Sequence, residues 1–473
     1  MTRDAHGASG ALGAHDAHGD KTVSDRVIDL GVFGDVVLAD GRLQRDAWVA
    51  VDGGRIVAVS AEQPEARRRD HLPGHLVLPG VIDAHVHTRS SLHEGIAATT
   101  RAAAAGGVTT VIDMPFDAPD LPVNTRERFA AKVAAIADEA HVDVALYATF
   151  PPSGPLDAIA ELASAGACGF KVSLYGSHPV RFPRIPDGQL LKACALVAET
   201  DRPLAAHQEN QEIVDTLIEN ALAAGQRAPL MHARTRPPVA ETEATGRLLE
   251  FAHATGARLH VVHGTVPRTF GLVDRYRQDG VRVSAETCVH YLLLDETALE
   301  RLGGRAKCNP PLRSASDVAG LWDLLADGRI DLVASDHSPY PLNEKDVGDI
   351  FAARPGLPGV ETLAVLLYSE GVAAGRLSLA RYASLLSSAP AATFGFQRKG
   401  SIAPGMDADL MVLDPDARHT IRAEALASPI GWTPFDGREV RGRVVRTYLR
   451  GALAFDGVQV TATPGSGRFV GSA

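Results

Sequence analysis

A chain of 473 residues, 45% hydrophobic and 22% charged, has room for one large catalytic domain plus a smaller one and the composition of a soluble globular protein. Its formal net charge of −10 argues against nucleic acid or an anionic membrane as a partner, and no apolar run approaches the eighteen or so residues of a transmembrane helix. The four cysteines, Cys168, Cys194, Cys288 and Cys308, are scattered with no C-x-x-C pair, which fits a reduced cytoplasmic protein better than a disulfide-stapled one.

In chain order, residues 1–25 are rich in Gly, Ala, Asp and His and lack the apolar stretch of a signal peptide, so a solvated, disordered tail is expected in spite of His6, His15 and His18. Residues 26–78 alternate β-branched runs with Asp-Gly and Gly-Gly turns, the pattern of a small antiparallel sheet. The same pattern returns over 396–473, and two β segments at opposite ends predict one sandwich built from both termini. Residues 79–395 behave differently. Apolar runs such as GVTTVIDM, VDVALYATF, GACGFKVSLYG, RPLAAHQEN, ARLHVVHGT, VRVSAET and IDLVASDHS alternate with helical stretches such as NTRERFAAKVAAIADEA and PVAETEATGRLLEFAHATG. Strand–helix alternation over some three hundred residues predicts a parallel sheet closed into an α/β (β/α)8 TIM barrel. The rival, an open doubly wound sheet, usually carries a Gly-rich phosphate turn after its first strand, and none is present.

Polar residues gather at the expected C-terminal ends of these strands, where barrel enzymes keep their chemistry. His85 and His87 follow VLPGVIDA as H-x-H, two residues apart and so able to reach one ion. Lys171 ends GACGFK, His207 ends RPLAAH, His263 ends ARLHVVH, and Asp336 follows IDLVAS. Each has a bland reading alone: incidental histidines, a lysine whose stem packs while its ammonium snorkels out, an aspartate paired in the core. Together, in order, they are a set of N and O donors suited to Zn2+ or Mn2+.

The motifs GVIDAHVHTR, AAAAGGVTTVIDMP, GFKVS, AAHQEN, HVVHGT, AETCVHYLLL, KCNPPLR, VASDHSPY and GSIAPGMDADLMVLD make the chain resemble the cyclic-amide branch of the amidohydrolase superfamily, which holds allantoinases, dihydroorotases, dihydropyrimidinases and hydantoinases. The resemblance implies that His85, His87 and Asp336 hold the more buried of two divalent ions. His207 and His263 would hold the second, and Lys171, carbamylated by CO2, would bridge both. The ions implied are zinc, with manganese, cobalt or iron as alternatives. In that family they share a hydroxide that attacks the amide, and Asp336 would carry its proton to the leaving nitrogen. A homo-oligomer, dimer or tetramer, is implied likewise.

The ring is less well specified. HQEN, KCNPPLR and SDHSP look most like allantoinases, with dihydroorotase and dihydropyrimidinase or hydantoinase as the alternatives and a non-catalytic scaffold as a remote one. Arg89 completes H-x-H-x-R, the dihydroorotase grip on a substrate carboxylate. The companion asparagine is missing, however, since Phe116 follows Met114-Pro115, so Arg89 is read either as a substrate contact or as a salt-bridged residue. Tyr175 lies one residue early for the hydantoinase oxyanion donor. Asn309 resembles a ring-contacting residue, or else suits a turn before Pro310-Pro311. His290 and His337 read as groups that orient ligands or touch substrate. Residues 172–188 match no subgroup closely and are expected to form a substrate-covering loop.

Overall fold

A computed structural model describes residues 27–89, 91 and 93–472. The expected N-terminal tail lies outside the described residues. The first four strands, β1 (Ile28–Val37), β2 (Leu43–Asp52), β3 (Arg55–Ser60) and β4 (Ala66–Pro79), lead straight into β5 (Val81–Val86), the first strand of the barrel. Gly53 and Gly54 take φ of 57° and 77° between β2 and β3, the left-handed pair that a tight hairpin needs and that glycine adopts without strain.

The sheet is mixed rather than antiparallel throughout. The β2–β3 hairpin lies on one side of β1, and the chain then crosses to the other side, where β4 runs parallel to β1. From the far end of the chain, β15 (Leu410–Thr420), β16 (Glu439–Leu449) and β17 (Ala452–Phe455) complete seven strands in the order β17-β16-β15-β4-β1-β2-β3. Val32, Val49, Val77, Leu410, Val412 and Tyr448, drawn from both ends of the chain, share one apolar cluster, so neither terminal segment can bury its apolar face without the other.

The barrel strands after β5 are β6 (Val108–Asp113), β9 (Asp143–Ala148), β10 (Gly169–Ser173), β11 (Leu204–His207), β12 (Leu259–Val261), β13 (Val283–Cys288) and β14 (Leu332–Ala334); a two-residue ribbon, β7 (Phe116–Asp117) and β8 (Leu121–Pro122), stands above β6. Neighbours pair in parallel in the order β14 through β5. Closure occurs just past β14, where His337 bridges Val86 and the His87 N–H donates to the His337 carbonyl (2.8 Å). Seven of the eight strands, all but β13, are buried at every position, as a parallel barrel covered by helices requires. Ile82, Ile112, Ala145, Ala205, Leu332 and Ala334 form one cluster, distinct from the larger set that packs against the helices.

Both helices named from sequence are present. Arg126–Glu139 is capped by Thr125, whose side chain accepts the Arg128 N–H, and Pro238–Thr255 stops at Gly256 with φ 75°. At the N-terminal end of the barrel strands, Asp143 at the start of β9 takes Lys399 (2.8 Å) and Arg450 from the C-terminal part of the chain. Stability contacts of this kind leave the opposite end free for chemistry. Among the described residues no helix is long and apolar enough to cross a membrane.

Candidate metal centre

The C-terminal strand ends open into a cavity of 350 Å³ lined by His85, His87, Lys171, His207, His263 and Asp336 together. Their placement differs in detail from the strand ends read in sequence. Lys171 is the third of the five residues of β10, not its last; His87, His263 and Asp336 lie just beyond β5, β12 and β14. His263 and Asp336 take positive φ, 38° and 46°, a conformation that costs a side-chain-bearing residue about 1–3 kcal/mol and tends to persist at functional sites. The pairing of β5 with β6 shifts register between Asp83 and Val86, where such a kink re-aims the following side chains.

Four imidazoles run through the site in the order His87, His85, His263, His207, with successive ring centroids 5.4, 5.3 and 4.9 Å apart. At one end, His85 Nε2 and His87 Nε2 both face Asp336 Oδ1, at 3.3 and 3.4 Å. At the other, His207 Nδ1 lies 3.2 Å from His263 Nε2. Behind them stand carboxylates that fix which nitrogen carries the proton. Glu286, fully buried, accepts from His85 Nδ1 (2.7 Å), His260 Nε2 (3.1 Å) and the His263 N–H (3.3 Å). Glu209 accepts from His207 Nε2 (2.7 Å) and is itself ion-paired with Arg236. His85 Nε2 and His207 Nδ1 are thereby left as lone pairs directed into the cavity.

Electrostatics point the same way. Burial, reinforced by the charge of Lys171, holds His85 well below the usual imidazole range, and burial with His207 and Lys171 does so for His263. Both rings are therefore neutral and able to ligate. Burial lowers the Lys171 amine to about 8 against the opposing pull of Asp336 and Glu286. Among the described residues no carboxylate lies within ion-pair distance of it, and its nearest aromatic face is Phe116, 6.0 Å from the ring centroid. Burial alone would raise Glu209; Arg236 and His207 outweigh it and keep the carboxyl ionised. Neutral imidazoles, a carboxylate and a buried amine between them are a donor set that fits two divalent ions of the zinc or manganese type.

Of the residues read as substrate contacts, Tyr175 and Asn309 line the cavity and Arg89 does not. Arg89 turns away to Glu139 (3.0 Å), since the loop after His87 is pinned the other way by Thr88, whose N–H and hydroxyl both donate to Asp113 (2.9 and 2.6 Å). The Arg236 guanidinium lies 4.4 Å over the Tyr175 ring, and the Asn309 Oδ1 is buried without a partner. The segment after β10 supplies Tyr175, Ser177, His178 and Phe182 to the cavity wall, folding back through a bridge between His178 and Phe182 so that Phe182 meets Phe116 edge-on at 4.0 Å. The opposite wall, residues 351–356, is held by two buried lysines. Lys307 Nζ donates to the carbonyls of Ile350 (2.7 Å) and Ala353 (2.6 Å), and Lys345 Nζ to those of Arg354 (2.7 Å) and Gly356 (2.8 Å).

Glu286 and Glu209 were not singled out from sequence. Each is an ionisable residue inside or beside an apolar run, and that was the available signal, because a buried charge needs a partner.

Comparison with known proteins identifies the family. The amidohydrolase family model matches residues 76–454. An allantoinase of Rubrobacter xylanophilus is 40% identical over 93% of this chain and 97% of its own length, and one of Salmonella choleraesuis 35% identical over 92% and 98%. Among solved structures, the L-hydantoinase (dihydropyrimidinase) of Arthrobacter aurescens superposes with a TM-score of 0.90 at 32% identity, covering 94% of this chain and 100% of that one. The dihydropyrimidinase of Brevibacillus agri does so with 0.87 at 30%, covering 93% and 98%. Motifs, barrel and site converge, and the chain belongs to the amidohydrolase family.

Proposed function

We propose that the protein opens the ring of allantoin by hydrolysis of a cyclic amide C–N bond, with His85, His87, Lys171, His207, His263 and Asp336 holding two divalent ions. The observation that carries the reading is the row of four imidazoles lining the cavity, closed by Asp336 at one end and flanked by Lys171. Bound there, two ions supply a water activated at neutral pH and polarise the amide carbonyl. The residues of the chain do the rest. Asp336 accepts the proton of the attacking water and returns it to the leaving ring nitrogen, so that the carbonyl carbon becomes a carboxylate and the nitrogen the terminal NH2 of a ureido group. Tyr175 and Asn309 offer polar groups to the ring. Phe116 and Phe182 exclude water from one side.

The choice of allantoin over dihydroorotate rests on charge, and over the other uncharged rings on the likeness to allantoinases. Dihydroorotate carries a carboxylate and wants a forked cationic partner. Arg89, the sequence candidate for that role, is committed to Glu139, and the aromatic pair Phe116–Phe182 lines the cavity. Allantoin carries no carboxylate and suits such a wall. Free, buried thiols at all four cysteines support a cytoplasmic enzyme, and a dimer or tetramer stays an expectation from the family resemblance.

The deciding experiment is turnover of allantoin, dihydroorotate, dihydrouracil and hydantoin by purified protein, with metal content measured on the same sample. Turnover of allantoin with close to two ions per chain, abolished by chelation and restored by zinc or manganese, is expected. A metal-free protein that keeps full activity would refute the mechanism, and turnover of dihydroorotate alone would refute the substrate. Arg89→Met sharpens the second point. Its loss removes a half-exposed ion pair of the kind worth about 0–1 kcal/mol, so kcat/KM for allantoin should change by less than roughly fivefold. A fall of more than about a hundredfold would instead mark Arg89 as an anchor for substrate charge.

A further inference from the structure

Asp336 and His87 come from opposite ends of the barrel sequence and meet beyond the paired strands, beside the single bridge between Val86 and His337. The residue that joins them is His337. Its carbonyl accepts the His87 N–H (2.8 Å), its backbone N–H donates to Ser335 Oγ (3.1 Å), and it follows Asp336 directly, whose φ of 46° must be imposed from outside. The His337 ring is held on both nitrogens. Nδ1 accepts the Gly359 N–H at 3.1 Å, which leaves the proton on Nε2, and Nε2 donates it to Glu94 Oε2 at 2.9 Å. The side chains of His337 and Glu94 are 1% and 2% exposed. Glu94 also accepts from Thr99 Oγ1 (3.1 Å) and, on its other oxygen, from Ser428 Oγ (2.6 Å), a residue of the C-terminal part of the chain. Ser428 is placed in turn by Glu361, whose carboxylate accepts the N–H groups of Ala427 (2.9 Å) and Ser428 (3.3 Å). Neither His337 nor Glu94 lines the cavity.

We infer that Glu94 is a positioning residue for the metal centre: through the His337 ring, and braced by Ser428, it fixes the backbone that carries Asp336 and presents His87. The inference rests on the assignment of Asp336 and His87 as metal ligands made above. Glu94 touches neither substrate nor the reacting atoms, so its effect falls on how well Asp336 is aimed rather than on how substrate is held. The C-terminal segment thereby has a part in the reaction through a single serine hydroxyl.

The test compares Glu94→Ala, Glu94→Gln and Ser428→Ala with the unaltered holoenzyme in two independent readouts. The first is zinc affinity of the apo-protein, by competition with a chromophoric chelator. Glu94→Ala should weaken the tighter zinc site roughly 10–100-fold, the range found when a partner behind a metal ligand is removed. Glu94→Gln, which keeps an oxygen to accept the His337 N–H, should recover affinity to within about threefold. The second is turnover of whichever ring the unaltered enzyme opens, measured at saturating zinc. There Glu94→Ala should lower kcat roughly tenfold or more with KM within about twofold, Glu94→Gln should again recover most of the loss, and Ser428→Ala should fall between. Zinc affinity and kcat unchanged in Glu94→Ala would overturn the inference, and so would a Glu94→Gln protein, folded by its thermal midpoint, that is as impaired as Glu94→Ala. The zinc measurement needs no substrate, so a wrong ring leaves it decisive.

Discussion

Lys171→Ala is expected to be nearly inactive while remaining folded. The amine sits 1% exposed on β10, in the cavity that the four imidazoles line and, among the described residues, without a carboxylate partner. An ammonium left there uncompensated would be costly. The snorkelling reading, in which the charge reaches water, fails on this burial. Reaction of the neutral amine with CO2 would turn the liability into an anion able to serve both ions, with His85, His87, His207 and His263 as the nitrogen ligands. Without Lys171 the two ions lose their shared ligand, so metal content should fall below two per chain and kcat/KM by at least about 10⁴-fold, roughly 5 kcal/mol. The barrel itself is held by apolar residues such as Ile112, Ala145 and Leu332, so the thermal midpoint of the metal-free protein should move little. Acetate or propionate added to the variant should restore part of the metal binding by standing in for the carbamate. A variant that keeps wild-type activity and two ions would show that Lys171 is a packing residue and that the ions need no bridge from it.

How far the site could be read without coordinates follows from what governs each residue. His85, His207 and Lys171 lie on strands, and His87, His263 and Asp336 only one or two residues past them. The same apolar alternation that marks the strands therefore also places these side chains at one end of the barrel. The fold was legible for that reason: the eight apolar runs correspond to the eight strands, and their helical spacers to the covering helices. Arg89 is three residues past β5, and there strand geometry no longer decides direction. The Thr88–Asp113 hydrogen bonds do, and Asp113 lies at the end of a different strand. The sense of β4 was missed for a related reason, since hairpin chemistry predicts antiparallel neighbours but says nothing of a strand that passes from its hairpin to the other side of β1. The supporting carboxylates were the least legible. Glu286 is 201 residues from His85 and Ser428 is 334 from Glu94, and no local pattern links partners at such separations.

Asp336→Asn should be about as damaging as Lys171→Ala while leaving the backbone in place. Asp336 holds φ at 46°, and Asn is among the few side chains that tolerate this region nearly as well as Asp. An alanine there would add backbone strain to the loss of the carboxylate, and its effect could not be assigned to either. Asn also keeps one oxygen within reach of His85 Nε2 and His87 Nε2, so a weakened ion should still bind when zinc or manganese is supplied in excess. What Asn cannot do is accept a proton from the attacking water and pass it to the leaving nitrogen. General acid–base catalysis by a positioned group is worth roughly 10²–10⁴-fold, and the weaker oxygen donor adds to the loss, so kcat should fall by about 10⁴ even at saturating metal. KM for the ring should hardly change, because Tyr175, Asn309 and the aromatic wall are untouched. A leaving group that needs no proton offers the sharper control. If Asp336 acts as the proton carrier, an activated ester analogue should lose far less rate in Asp336→Asn than the cyclic amide does, since only the amide requires protonation of its nitrogen. Equal losses on ester and amide, with metal restored, would reduce Asp336 to a ligand and move the proton transfer to another group in the cavity.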